Sequence, residues 1–349
     1  MRRIPPNTFG SAFGLVGLAG TWLAAADAGL APRWVGDALL ALTAAVWLAV
    51  LVAYAAHAMP RSGTLWTDLT HPVLAPFLSL AVITPMVLAA RGVEPHAHAP
   101  GTVLTDVFLA LTVLHGCWFT GQLIYGEYSL DQLHPGYFLP TVAGGLLASA
   151  SAAQVGQEGL GRVLFGYGVV CWVILGSIIL ARLFFRPALS AALLPTLAIE
   201  VAPSAVASLA WFSLGHSGID PVSQFFAGYG VLMVVAQLRL LPAFRRLHFT
   251  VGFWAFTFAW TAVATATLHW IEVTDPAGQD VWAWLVLVAI TALVGAIAVR
   301  SIAALARGEL FPAAPAVPPA VASGPSAPTA GPVPVPAASP GDRPGSRHQ

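Results

Sequence analysis

Few side chains in this sequence of 349 residues could carry chemistry, and one of them is an acid within an apolar stretch. Glu200 lies three residues before Pro203 in the stretch 195–213. A carboxylate near the centre of a bilayer costs roughly 2.5–3.5 kcal/mol on insertion scales, so it is a functional hypothesis by default. Glu200 is either a proton or substrate site, or a neutral acid hydrogen-bonded to the irregular backbone around Pro203. We prefer the second interpretation and keep the first open.

Histidines are the next candidates, because they bind metals and transfer protons. His96 and His98 are spaced like a pair of metal ligands, but no third ligand accompanies them, so we predict no metal site. His71 and His134 each precede a proline, which suits the first turn of a helix, and we predict that both mark helix starts. The sequence contains no phosphate-binding, dinucleotide-binding, nucleophile-elbow or zinc-protease motif. We therefore predict no catalytic residue and no cofactor.

The composition is that of a membrane protein. Hydrophobic residues make up 57% of the chain and charged residues only 9%, against roughly 25% charged residues in soluble domains. This excludes a soluble enzyme, a nucleic-acid-binding protein and a disordered chain. Both cysteines, Cys117 and Cys171, fall in apolar runs, and we predict that they are small core residues. The sequence predicts an all-α integral membrane protein in contact with lipid.

Ten stretches are apolar enough to cross a membrane, which takes about 20 residues. They are 7–26, 36–57, 73–90, 103–124, 137–154, 162–182, 195–213, 222–241, 250–270 and 281–304. Proline and glycine interrupt the third, fifth and seventh stretches. The first stretch could instead be a signal peptide, but Pro5 and Pro6 do not fit the pattern of one.

Arginine placement predicts the orientation, since positive residues concentrate on the cytoplasmic side. With the N-terminus inside, the inner segments hold ten arginines: Arg2, Arg3, Arg61, Arg182, Arg186, Arg239, Arg245, Arg246, Arg300 and Arg307. The outer loops hold only Arg33, Arg91 and Arg162. We therefore predict a multi-pass protein of the cytoplasmic membrane with both termini inside.

The chain changes character at residue 312. Residues 312–349 contain 11 of the 28 prolines and no Leu, Ile, Phe, Trp or Tyr. Such a segment cannot bury enough apolar surface to offset its ordering entropy. The sequence predicts a transmembrane domain over 1–311 and a disordered, Pro/Ala-rich cytoplasmic tail over 312–349.

The odd-numbered stretches carry the helix breakers and recur along the chain. Their starts at Pro6, Pro72, Pro135 and Pro195 are 66, 63 and 60 residues apart, which predicts five helical hairpins. Irregular transmembrane backbone is tolerated only where protein or a water cavity covers it, so the odd helices belong inside. They either enclose a lumen or pack tightly without one, and the fivefold recurrence favours a lumen. The predicted pore-lining kinks are Gly14, Pro76, Pro140, Gly144 and Pro203.

Several motifs spread over the chain resemble those of one transporter family. They are 6–10 (PNTFG), 134–140 (HPGYFLP), 202–204 (APS), 228–240 (from Gly-Tyr-Gly to Leu-Arg-Leu) and 253–258 (FWAFTF). Together they resemble the TehA-type tellurite-resistance/dicarboxylate transporter family, which includes plant slow-type anion channels and yeast malate carriers. The segment from Pro312 onward lies outside the resemblance.

The resemblance implies a fold, an assembly and a substrate class. It implies ten helices as five hairpins in a quasi-fivefold arrangement around a central pore, and a homotrimer in which each subunit has its own pore. It implies transport of small anions, as a channel or as a C4-dicarboxylate or tellurite-resistance carrier. A non-conducting membrane enzyme or accessory scaffold is the alternative.

The resemblance also implies a gate on the ninth helix. The family's occluding phenylalanine lies four residues after a tryptophan, which here is Trp254, and so corresponds to Phe258. Plant channels continue with proline where this chain has Ala259, so its helix is less kinked there. Phe256 points the opposite way on a helix. No arginine falls within an odd stretch, so anion preference in the lumen would come from the N–H groups of broken helices. Arg239, Arg245 and Arg246 at the inner end of the eighth stretch fit the orientation signal, with an anion-attracting vestibule as a second interpretation.

Overall fold

The computed structural model describes residues 3–216 and 218–311, and within these ranges every regular element is a helix. There are twelve α-helices: α1 (Gly10–Asp27), α2 (Arg33–Ala58), α3 (Thr64–Thr70), α4 (Ala75–Leu78), α5 (Leu80–Leu88), α6 (His98–Tyr125), α7 (Gly144–Gln154), α8 (Glu158–Phe185), α9 (Ala202–Ser213), α10 (Pro221–Phe244), α11 (Trp254–Thr274) and α12 (Gln279–Ala306). The predicted tail over 312–349 lies outside the described residues.

Nine helical segments in the described part of the chain are long and apolar enough to cross a membrane. They correspond to nine of the ten predicted stretches, and the all-α membrane fold is confirmed. The fifth stretch differs because it is divided into a π-helical turn, Leu139–Ala143, and the short helix α7. Pro140 lies in this turn and has no N–H to donate, which explains why an uninterrupted helix does not form there.

The membrane-crossing segments fall into two groups by burial. The segments Pro6–Asp27, Ala75–Val93, Leu194–Ser213 and Val251–Thr274 are 56–78% buried. The other five, which include α2, α6 and α8, are only 17–28% buried. All four buried segments belong to odd-numbered stretches of the sequence. Since a helix that is apolar all round and exposed needs lipid against it, the second group forms the outer surface.

The buried segments are also the irregular ones. A 3-10 turn, Pro6–Phe9, precedes α1, and an eight-residue 3-10 helix, Leu194–Val201, precedes α9. A π-helical turn, Ala89–Val93, follows α5. His71 Nδ1 accepts the backbone N–H of Val73 at 3.1 Å, and His134 Nδ1 accepts that of Gly136 at the same distance. The predicted role of these two histidines at helix starts is confirmed.

Helices α1 and α11 pack closely because glycines of α1 face threonines of α11. A Cβ atom on Gly14 would overlap Thr257 Oγ1, and one on Gly17 would overlap Thr261 Oγ1. One turn further on, the hydroxyl oxygens of Thr21 and Thr265 lie 2.9 Å apart. This contact fixes the side chains that α11 presents to the interior.

Only one of the two cysteines corrects a prediction, because Cys171 packs against a buried cluster whereas Cys117 does not. Cys117 is exposed on α6 and Cys171 is half-buried on α8. Both helices belong to the outer group, whose apolar runs face outward as well as inward. An apolar neighbourhood in the sequence therefore does not place a residue in the core of a membrane protein.

Candidate functional site

Phe258 lies on α11 and stacks on a second phenylalanine across the α1 contact. The ring centroids of Phe13 and Phe258 are 3.7 Å apart and their planes differ by 17°. Gly17 allows this approach, because a Cβ there would already lie 3.1 Å from Phe258 Cδ2. The two rings therefore form a flat aromatic pair in the interior, held by the close packing of α1 and α11.

Two cavities meet at Phe258. The first, cavity A, is bordered by Phe13, Pro203 and Trp254, among others. The second, cavity B, is bordered by Gly17 and Arg91, among others. Phe258 and Val206 border both cavities. Phe258 therefore stands between two internal spaces.

A third cavity, cavity C, adjoins cavity B. The two share four lining residues: Arg91, Gln154, Leu209 and Thr265. Along α1 and its flanking residues the lining positions run from Asn7 in cavity A, through Gly17 in cavity B, to Ala28 in cavity C. The three cavities thus follow one another in the direction of the helix axis.

The lining of cavities A and B comes from one group of elements. Every lining residue belongs to α1, α4, α5, α7, α9, α11 or the irregular turns that adjoin them. The outer helices α2, α6, α8, α10 and α12 contribute none. The spaces are therefore internal to the buried elements.

The predicted kink residues occupy different places. Pro203 lines cavity A. Gly14, Pro76, Pro140 and Gly144 are buried but do not line cavities A, B or C. Gly14 instead packs on Thr257. At Gly14 and Gly144 the missing side chain allows a neighbouring helix to approach, and other residues form the wall.

Glu200 is almost completely buried, with 5% of its surface exposed, and lies in the 3-10 helix Leu194–Val201. It does not line cavities A, B or C. Its Oε1 atom has no hydrogen-bond partner among the described residues. Its neighbour in the chain, Ile199, does line cavity A. The expected hydrogen bond from Glu200 to the backbone near Pro203 is not found among the described residues.

Arg91 corrects a prediction from the sequence. The third apolar stretch is predicted to end at residue 90, which puts Arg91 in an outer loop. The π-helical turn Ala89–Val93 continues the helical segment past that point, and Arg91 lines cavities B and C. The prediction that no arginine lies within an odd helix is therefore wrong. A hydropathy window ends at the first charge, whereas a helix ends where its backbone hydrogen bonds end.

Comparison with known proteins places this geometry in a family. The profile of the voltage-dependent anion channel family, SLAC1, matches residues 3–302. The tellurite resistance protein TehA homologue of Haemophilus influenzae is 25% identical over 319 residues, which cover 88% of this chain and 93% of that protein.

Plant proteins are similar as well. The S-type anion channel SLAH3 of Arabidopsis thaliana is 24% identical over 89% of this chain, and the guard cell S-type anion channel SLAC1 is 24% identical over 77%. The matched region is 50% of the length of each plant protein. Because the family profile covers nearly all the described residues, this chain belongs to the voltage-dependent anion channel family, which is made up of anion channels and transporters and not of enzymes.

Proposed function

We propose that this protein conducts small anions across the membrane through cavities A, B and C, and that Phe258 closes the path between A and B. The names of its relatives, an S-type anion channel and a tellurite resistance protein, supply the substrate class. The observation that carries the proposal is that Phe258 borders both cavities while stacked on Phe13.

The dimensions of the path support this function. An α-helix rises 1.5 Å per residue, so the interval from Asn7 to Ala28 corresponds to roughly 30 Å. That is about the thickness of the hydrocarbon core of a bilayer. A series of cavities of this length, interrupted by an aromatic side chain, is what a closed pore requires. Truncating that side chain then removes the apolar obstruction.

We extend the proposal to the fifth stretch as a tenth transmembrane segment. Its turn Leu139–Ala143 and helix α7 contribute Val142 to cavity A and Ser151 to cavity B, as the other buried segments do with their own residues. Ten segments then form five hairpins, with the odd member of each beside the path. An even number of segments also agrees with the arginine distribution, which favours both termini inside.

Three further proposals rest on the family resemblance and on the sequence. The protein is a homotrimer with one path per subunit, it lies in the cytoplasmic membrane, and residues 1–311 suffice for transport. A detergent-solubilised mass equal to three chains would support the trimer, and the mass of one or two chains would contradict it.

The function is tested by measuring chloride and nitrate flux into liposomes that contain the purified protein. In Phe258→Ala we expect flux to rise by about tenfold or more, equivalent to a barrier lowered by about 1.4 kcal/mol. Phe256→Ala is the matched control, because it removes the same ring two positions away on another face of α11 and should not raise flux. Equal effects of the two substitutions, or no flux in any variant, would contradict the proposal.

A further inference from the structure

We propose that cavity B contains a binding site for one monovalent anion of the chloride or nitrate class, built from Arg91 with Ser151 and Gln154. The site lies next to Phe258, which borders the same cavity. This inference rests on the proposed function, since it names where a conducted anion would bind along the path and which anions would bind best.

The charge of cavity B comes from one side chain. Among its described lining residues, Arg91 is the only charged one, and no acidic residue borders this space. A guanidinium group carries five N–H donors and stays charged at any physiological pH. The lining of cavity B therefore carries one positive charge, and the N–H donors of Arg91 are not all taken up by acceptors of the lining.

The guanidinium of Arg91 forms no direct contact with a polar group among the residues that the structure describes. Two carboxylates, Asp27 and Glu272, share cavity C with Arg91, and Asp27 attracts its charge. Asp27 is hydrogen-bonded to Arg33 at 2.9 Å, and neither carboxylate forms an ion pair with Arg91. Unpaired charge within a membrane segment is costly and marks a pathway for ions by default. Because no carboxylate contacts the guanidinium directly, its N–H donors are available to an anion on the side of cavity B, which has no acidic lining residue.

Two uncharged donors face the same space from α7. Ser151 and Gln154 are three residues apart, so they lie on one face of that helix, and both line cavity B. Ser151 is buried and Gln154 is exposed, and neither side chain forms a hydrogen bond among the described residues. A bound anion would accept from both, and from Arg91, without displacing any existing hydrogen bond.

Gly20 makes room for the guanidinium on the side of α1. A Cβ atom at this position would lie 2.9 Å from Arg91 Nη1, and no other atom but the guanidinium carbon lies within 4 Å of it. An alanine here would push the end of a flexible side chain and leave the helix packing intact. Gly20→Ala therefore displaces the proposed ligand-binding group without altering its charge.

The single positive charge sets the preference between anions. One guanidinium neutralises a halide or nitrate, whereas a dicarboxylate would leave one negative charge uncompensated in an apolar interior, which is unfavourable. The proposed site therefore favours monovalent anions over C4-dicarboxylates.

Binding is tested apart from transport, on the full-length chain in detergent, by the broadening of the chloride NMR line and its reversal by nitrate. We expect broadening with the natural sequence and about a tenfold loss of affinity in Arg91→Gln, the effect of removing a hydrogen bond to a charged group. Arg91→Lys should retain part of the affinity, and Gly20→Ala should weaken binding less than Arg91→Gln. Arg162→Gln is the matched control, since that exposed arginine pairs with Glu158 and borders none of the three cavities.

The outcomes separate this site from the proposed function. Unchanged broadening in Arg91→Gln, equal loss in Arg162→Gln, or competition by succinate as strong as that by nitrate would overturn the site. Absence of chloride binding together with flux through Phe258→Ala would overturn the site and leave the conduction proposal standing. Chloride binding that depends on Arg91, with no flux in any variant, would support the site and overturn conduction.

Discussion

Two phenylalanines of α11 are equally half-buried and yet occupy different surroundings. Phe258 stacks on Phe13 and borders cavities A and B. Phe256 lies edge-on to Phe244, at 4.9 Å between ring centroids and 88° between planes, beside the outer helix α10. Burial alone does not distinguish them. The difference is that Phe258 borders two internal cavities, whereas Phe256 packs on Phe244 and borders an open groove lined by α10, α11 and α12.

This difference assigns opposite consequences to the same substitution. Removing a ring that packs between helices leaves neighbouring side chains without contacts and lowers stability. Removing a ring that separates two cavities joins them. Some packing is lost, but we expect anion flux to rise. Substitutions at several positions test this difference, and their expected effects on stability or flux range from a few kcal/mol to none.

The largest effect is expected for Phe256→Ala. Because the ring is half-buried, we expect a loss of about 2–3 kcal/mol in stability, below the roughly 3–5 kcal/mol of a fully buried phenylalanine. Thermal unfolding in detergent, followed by tryptophan fluorescence, measures it. Phe225→Ala is the control, because that ring is 63% exposed on α10 and should cost little. Equal losses at both positions would show that the surroundings of Phe256 are not packed as described.

Gly17→Ala should act on the contact that positions Phe258. The added Cβ would overlap Thr261 Oγ1 and lie 3.1 Å from Phe258 Cδ2, so α1 and α11 must separate slightly. We expect a loss of about 1–2 kcal/mol in stability, as for other overpacked interiors. Gly228→Ala is the matched control, since a Cβ there meets no atom within 4 Å. A stable Gly17→Ala protein would contradict the close approach of these helices.

Phe13→Ala should sharpen the role of the aromatic pair. A stacked pair contributes about 0.5–1.5 kcal/mol beyond its buried area, so we expect flux to rise roughly two- to tenfold as Phe258 loses its partner. In a Phe258→Ala background the same substitution should add little, because the pair is already absent. A liposome flux assay on the two single variants and the double variant measures this coupling. Independent, additive effects would show that the stack does not hold the closed state.

The sequence predicted the fold wherever local chemistry decides it. The predicted stretches 36–57 and 281–304 lie within α2 and α12, and the prolines after His71 and His134 mark helix starts as expected. These features depend on hydropathy and on the missing N–H of proline, and both act over a few residues.

The walls of the cavities could not be predicted in the same way. Arg91 was excluded from the interior because hydropathy ends a span at a charge, although the helical backbone continues to Val93. Of the residues expected to line a pore, Gly14 serves instead to bring helices together, against Thr257. Which face of a helix meets a cavity depends on contacts between segments far apart in the chain. Hydropathy and residue size do not encode those contacts.

The smallest effect is expected for Glu200→Gln. Glu200 lies in the 3-10 helix Leu194–Val201 and borders none of the three cavities, so the group that changes is outside the proposed path. The amide has nearly the same shape as the acid, and we expect stability, flux and the pH dependence of flux to stay within about twofold of the parent, less than 1 kcal/mol. Flux measured between acidic and neutral pH, with and without a proton gradient, checks this. A pH profile that flattens in Glu200→Gln but not in Gln237→Glu, a change on the neighbouring helix α10, would instead make Glu200 a proton site coupled to transport.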